Sequence, residues 1–206
     1  MKYIIFDFDG TLANSSDVFI KAWNVFSNTY HYDPITYEDV LATKHLTLHQ
    51  RAKQFNFPMH KLPIIIPKVY KYFNDHIQEV MLFDGIKEML ESLEREGYKI
   101  AILSSNAKEN IELLLQTEQI NAVSEVLTSS RIFAKDVVLK KFMKQQKLTP
   151  DQIVYVGDEL RDILACNKVK IPFMWVSWGI DGIEIIEKEN PKYVVHTPSE
   201  ILNTLS

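Results

Sequence analysis

Ile4-Ile5-Phe6-Asp7-Phe8-Asp9-Gly10-Thr11-Leu12 joins an apolar run, begun at Tyr3, to two carboxylates one residue apart. The run has the character of a buried strand. Side chains alternate along extended chain, so Asp7 and Asp9 leave the strand end on the same side. Gly10 then allows a sharp backbone turn. Two carboxylates so placed repel each other unless a cation lies between them or one holds a proton. Both conditions suit phosphoryl transfer, with one acid as nucleophile, the other as proton donor, and a hard divalent ion on the oxygens. An acidic turn after an edge strand is the plainer alternative.

Working outward, strand and helix patterns alternate from Phe83 onward. Helical periodicity runs from Gly85 to Glu96, with Ile86, Met89, Leu90 and Leu93 on one face and Gly97 as the stop. Tyr98–Leu103 reads as a buried strand ending in Ser104-Ser105-Asn106. A helix through Ile111, Leu114 and Leu115 follows, then a short strand near Val126-Leu127 and a helix from Asp136 to Lys147. Ile153–Val156 is a strand ending in Gly157-Asp158. Phe173–Val176 and Tyr193–Val195 are further strands, with a last helix from Ser199. This alternation predicts an α/β fold with a doubly wound, mainly parallel, Rossmann-like sheet. Ligands of such sheets bind beyond the carboxyl ends of the strands, where every polar motif named here falls.

Between about Asn14 and Leu82 the pattern is helical, with no convincing buried strand. Ser15 or Ser16 is placed to cap a helix with a stripe of Val18, Phe19, Ala22, Trp23, Val25 and Phe26. Thr36-x-x-Asp39 marks a second helix start. Pro63 and Pro67 bracket Ile64-Ile65-Ile66, and a further helix is expected through Val69, Tyr70, Phe73, Ile77 and Val80. The expected organisation is a core of residues 1–13 and 83–206, with an inserted helical cap at 14–82.

The chain has 206 residues, enough for one core and an inserted subdomain. Its 27 acidic and 23 basic side chains leave a formal charge of −4, which argues against a nucleic-acid or anionic-membrane surface. The apolar run before Asp7 is too short for a signal peptide, and no stretch approaches the ~20 residues of a membrane helix. Cys166 is the only cysteine, which excludes an intrachain disulfide and reads as a small packing residue. The cytoplasm is the expected compartment, and a monomer or weak homodimer the expected state.

Ser104-Ser105-Asn106 offers hydroxyls and backbone N–H groups to a phosphate, and is equally good helix-capping sequence. Gly157-Asp158-Glu159-Leu160-Arg161-Asp162 puts two acids four residues apart at a strand-to-helix junction. That suits either a magnesium ligand or the positive end of a helix. His45 and His49 have the spacing of a helical metal pair, and equally that of an exposed polar face.

Asp7-Phe8-Asp9-Gly10-Thr11-Leu12 resembles the first signature of the haloacid dehalogenase superfamily, most of whose members are phosphatases. By the same resemblance, Ser104 supplies the hydroxyl of the second motif, with the Ser105 N–H and Asn106 as further phosphate contacts. The resemblance also implies Asp158 as a metal ligand, with Asp162 behind it as an orienting group. Phe133-Ala134-Lys135-Asp136 lies about one helix and one strand before Asp158 and fits the third motif, although many relatives carry glycine in place of Ala134. The lysine is needed electrostatically: unit charges ~4 Å apart interact by ~4 kcal/mol at an effective dielectric near 20, and a phosphate beside a carboxylate has to be neutralised. Lys140 and Lys141 read instead as solvated helix charges.

The resemblance implies a C1-type cap, as in phosphoglycolate phosphatase-like proteins, and hydrolysis of a small phosphorylated metabolite with Mg2+. Asp7 is then the nucleophile and Asp9 the acid and base, while Asp7, Asp158 and the backbone carbonyl of Asp9 hold the metal. Lys44, where Thr43-Lys44-His45 interrupts the helical pattern, is the candidate cap residue for substrate choice. Dehalogenases of the superfamily lack the second acid that Asp9 supplies. β-Phosphoglucomutase-like enzymes usually have a histidine where this chain has Phe19. A non-catalytic phosphate-binding protein is the remaining alternative.

Overall fold

The computed structural model describes residues 2–129 and 134–205; Phe133 of the third motif lies outside them. In chain order the elements are β1 (Tyr3–Phe6), β2 (Ala13–Asn14), α1 (Ser16–Tyr30), α2 (Tyr37–Ala42), α3 (Leu48–Gln54), α4 (Leu62–Asp75) and β3 (Met81–Leu82). They continue with α5 (Ile86–Arg95), β4 (Lys99–Ser104), α6 (Lys108–Thr117), β5 (Val123–Thr128), α7 (Lys135–Gln146), β6 (Ile153–Gly157) and α8 (Leu160–Val169). The chain ends through β7 (Phe173–Val176), α9 (Ile183–Ile186), β8 (Tyr193–Val195) and α10 (Pro198–Leu205).

Six strands form one sheet in the order β5-β4-β1-β6-β7-β8, and every pairing between them is parallel. Strands buried on both faces need apolar side chains at consecutive positions, which Tyr3-Ile4-Ile5-Phe6 and Ile153-Val154-Tyr155-Val156 supply. Their alternation divides the core. Ile4, Phe6, Ile100, Ile102, Val154 and Val156 pack with Ile86, Leu90 and Leu93 of α5, Ile111 of α6 and Ile201 of α10. Tyr3, Ile5, Ala101, Leu103, Ile153 and Tyr155 face Leu139 and Phe142 of α7, and Ile163 and Cys166 of α8. β1 is central, and the chain leaves it towards β4 on one side and β6 on the other. The crevice at this reversal is where α/β sheets place ligands.

Helices α1 to α4 carry a separate apolar cluster built on Ala22, Tyr32, Ala52, Phe57, Ile65 and Val69. Thr36 and Asp39 form a reciprocal capping box at the start of α2, as their spacing predicts. Three local expectations change. Pro67 does not separate two segments, because α4 runs through it and buries Ile65, Val69 and Phe73 along one face. The hydrogen bond that Pro67 cannot make would end on the carbonyl of Pro63, in the first turn of the helix, where its loss is least disruptive. In α1, Val18 and Ala22 are buried while Phe19 and Val25 are exposed, so the apolar stripe is narrower than expected. Finally, β2 and β3 pair antiparallel, Ala13 with Leu82 and Asn14 with Met81, closing the helical segment with a short ribbon.

Candidate active site

Asp7 follows β1 directly and donates its backbone N–H to Val156 of β6, which fixes it at the sheet's carboxyl edge. Its Oδ1 accepts the Phe8 N–H at 2.8 Å, and its Oδ2 lies 2.8 Å from the Lys135 ammonium. Phe8 to Ala13 then turn tightly, with Gly10 at φ +81° and its N–H on the Ala13 carbonyl. A Cβ at Gly10 would collide with the Asp158 carboxylate, and so would one at Gly179. The two glycines thus make the space that Asp158 fills. Asp158 is fully buried and accepts from the Thr11 hydroxyl at 2.7 Å and the Ile180 N–H at 2.8 Å. The Trp178 indole N–H closes the same loop onto the Thr11 carbonyl.

Lys135, the first residue of α7, is buried between Asp7 and Asp162, with its Nζ 2.6 Å from Asp162 Oδ1 and 3.0 Å from the Tyr155 hydroxyl. A cation at a helix N-terminus opposes the helix dipole, and the two carboxylates more than offset this. Burial alone would lower the lysine pKa, but Asp162 and Asp7 outweigh it and hold the ammonium charged. Burial likewise acts to raise the Asp7 pKa, while Lys135 and Arg161 pull it below its ordinary value, so Asp7 is held ionised. Asp158 and Asp162 are pushed well above the usual carboxylate range, first by burial and then by neighbouring acids, Glu159 for Asp158 and Asp7 for Asp162.

Asp7, Asp158 and Asp162 each offer a carboxylate oxygen within 4.8 Å of the others. Lys135 makes ion pairs with two of these buried acids, Asp7 and Asp162, and none with Asp158. Asp162 Oδ2, moreover, has no hydrogen-bond partner among the described residues. An all-oxygen, carboxylate-rich donor set of this kind fits a hard divalent cation. Asp162, expected behind Asp158, belongs to this group of three, while the Asp9 side chain lies outside it.

Asp9 is half-buried, and its carboxylate accepts from Asn106 Nδ2 at 3.1 and 3.3 Å. Burial first, then Asp7, raises its pKa to about 6, against the opposing hydrogen bonds of Ser15 and Asn106. Ser104 ends β4, and its hydroxyl accepts the Asn106 N–H. The helix does not open on these residues: Ala107 occupies the cap position and α6 begins at Lys108, so Ser105 and Asn106 belong to the link after β4, from which Asn106 reaches Asp9. The Ser105 hydroxyl has no hydrogen-bond partner among the described residues.

The helical segment reaches the site at two places. Lys44 is half-buried in the turn after α2. Burial lowers its pKa, and Asp158 pulls the other way. Its carbonyl accepts from Gly182 N–H and from Arg51, whose guanidinium also pairs at 2.6 Å with the buried Asp181. Tyr70 of α4 faces Ser105, Arg161 and Asp9, and burial raises its phenol pKa. Arg161, within the string Gly157-Asp158-Glu159-Leu160-Arg161-Asp162, pairs with Glu159 at 2.6 Å, and its charge also acts on Asp7, Asp9 and Asp162. It was not singled out in the sequence, although an arginine in the first turn of a helix is itself unusual. His45 lies in a turn and His49 on α3, both exposed, so they do not share a helical face. Lys140 and Lys141 are exposed.

A buried acid cluster and an ion-paired lysine at the carboxyl edge of a parallel α/β sheet have the composition and place of an enzyme's active site. The chain belongs to the haloacid dehalogenase-like hydrolases, whose family pattern matches residues 4–176. It is 28% identical over 207 residues to a phosphoglycolate phosphatase of Synechococcus elongatus, covering 100% of this chain and 98% of that protein. It is 26% identical over 208 residues to the pyrophosphatase PpaX of Bacillus cereus, covering 98% and 95%. Among solved structures it resembles the haloacid dehalogenase-like hydrolase SP0104 of Streptococcus pneumoniae, with a TM-score of 0.83 at 20% identity and coverage of 100% and 99%. No helix among the described residues is long and apolar enough to cross a membrane.

Proposed function

We propose that this protein is a magnesium-dependent phosphatase that hydrolyses a small phosphomonoester through an aspartyl-phosphate intermediate. The reading rests on one observation above the others: Asp7, held ionised beside Lys135, shares a buried oxygen cluster with Asp158 and Asp162. Asp7 attacks phosphorus and the ester oxygen departs with a proton from Asp9. Asp9 then takes a proton from the water that cleaves the aspartyl-phosphate. A group with a pKa of about 6 is suited to both transfers. Ser104, the Ser105 N–H, Asn106 and Lys135 surround the phosphoryl oxygens as their charge redistributes. Mg2+, held by Asp7, Asp158 and the Asp9 carbonyl with Asp162 close by, would neutralise charge on the phosphoryl group.

Residues 14–82 act in this reading as the cap, a division supported by their separate apolar cluster and by the β2–β3 ribbon. Phosphoglycolate and pyrophosphate, the compounds for which two relatives are named, both carry an anionic group beyond the phosphoryl group attacked. The half-buried ammonium of Lys44, near Asp158, is placed to meet such a group. Purified protein assayed on p-nitrophenyl phosphate and a panel of phosphomonoesters with Mg2+ tests the reading. Hydrolysis abolished by EDTA and by Asp7→Asn is expected. Undiminished turnover in EDTA, or an active Asp7→Asn variant, refutes it.

A further inference from the structure

Three asparagine side chains connect α4 to Asp9. Asn74 Oδ1 accepts from Asn110 Nδ2, which also donates to Asn106 Oδ1 at 2.9 Å, and Asn106 Nδ2 donates to the Asp9 carboxylate. The direction of this chain is fixed by the backbone. The Ala107 N–H can only donate, and it meets Asn106 Oδ1 at 2.8 Å. The Asn106 oxygen must therefore face Ala107 and Asn110, and its NH2 group must face Asp9. Asn110 must then present its own NH2 group to Asn106, which leaves an acceptor position that Asn74 fills. Asn106 and Asn110 are buried, so neither is turned freely by solvent. Asn74 lies one helical turn from Tyr70, so α4 turns both residues toward the Asp9 side of the site.

We propose that Asn110 and Asn74 are positioning residues for Asp9, an amide relay through which the seating of α4 sets the orientation of the acid–base carboxylate. The inference rests on the phosphatase reading above. With the helical segment seated, Asn74 holds Asn110, Asn110 holds Asn106, and Asn106 holds Asp9. With α4 displaced, Asn110 loses its outer acceptor and Asn106 keeps only its local contacts. Proton transfer is then aligned only when the substrate is enclosed. Sub-ångström alignment of a catalytic group commonly governs rates by tenfold or more.

The test compares wild type with Asn110→Leu, Asn74→Leu and Asn74→Asp on p-nitrophenyl phosphate and on a simple alkyl phosphate. Nitrophenolate leaves readily without a proton, whereas an alkoxide needs one. Both leucine variants are expected to lose about tenfold in kcat/KM on the alkyl ester and much less in kcat/KM on the aryl ester, since this ratio reports the first phosphoryl transfer and not the hydrolysis of the aspartyl-phosphate that the two esters share. Asn74→Asp keeps an acceptor for Asn110 and should recover most of that loss. Asn74 is exposed, so its two variants carry the test even if Asn110→Leu fails to fold. An active wild type with unchanged kcat/KM on the alkyl ester in Asn74→Leu overturns the relay alone. So does an equal loss of kcat/KM on both esters. An inactive wild type overturns the phosphatase reading itself.

Discussion

Replacing Lys135 with methionine removes the one ammonium that the structure places between Asp7 and Asp162, at 2.8 and 2.6 Å. Its side chain is 2% exposed, so water cannot take its place. Removing one partner of a buried ion pair typically costs about 3–5 kcal/mol, because the remaining charge is stranded. For a chain of this size, each kcal/mol lowers Tm by about 2–4 °C, so a fall of about 6–20 °C is expected in EDTA. The loss also has a predictable pH dependence. Without the lysine, Asp7 and Asp162 bind protons more readily in the folded than in the unfolded chain, so the variant's stability rises as pH falls. The deficit against wild type should therefore be larger at pH 8 than at pH 5. Adding Asp162→Asn to the methionine variant removes one stranded carboxylate and should restore part of the loss. Calorimetry in EDTA at the two pH values, with Lys140→Ala and Lys141→Ala as exposed controls within about 0.5 kcal/mol of wild type, measures all of this. A Lys135→Met protein that melts within 2 °C of wild type at pH 8 would show that the cluster does not depend on this charge.

Asp9→Asn should retain affinity for a phosphate analogue such as tetrafluoroaluminate while losing turnover by at least about a hundredfold, read by calorimetric titration beside steady-state kinetics; collapsed affinity would make Asp9 a structural residue. Lys44→Ala should raise KM severalfold for a substrate with a second anionic group and leave p-nitrophenyl phosphate hydrolysis nearly unchanged; equal effects on both would remove Lys44 from the specificity site. Gly179→Ala should impair folding or Mg2+ affinity, since its Cβ would occupy the space of Asp158; a variant that melts and binds Mg2+ like wild type contradicts the packing described.

Much of the sheet could be read in advance because parallel strands buried on both faces leave uninterrupted apolar runs, as in Ile153-Val154-Tyr155-Val156. The acids and Lys135 were legible because each lies at the end of such a run or at the start of the helix that follows. β5 was harder: it is an edge strand, with Ser124 and Glu125 breaking its apolar pattern, and only Val126 and Leu127 stood out. The continuity of α4 through Pro67 follows from the burial of Ile65, Val69 and Phe73, a tertiary effect that local propensity does not contain. Asn74 and Asn110 are 36 residues apart on different helices and give no local signal. Only the closed fold makes them neighbours.

The ribbon of β2 and β3 has a consequence for how such a protein can change. Asn14 and Met81 are partners in one ladder, and Phe83 N–H returns to the Leu12 carbonyl at 3.0 Å. The segment between them therefore enters and leaves the core at one place, although Val18, Phe73, Ile77 and Val80 at its two ends also pack into the sheet's core. Closing that loop costs little more for a long insert than for a short one, because the entropy grows only with the logarithm of length. The part of the insert beyond those contacts can be lengthened or shortened with little effect on the register of β1 against β4 and β6. The insert can thus vary while the acids beneath stay where the sheet puts them.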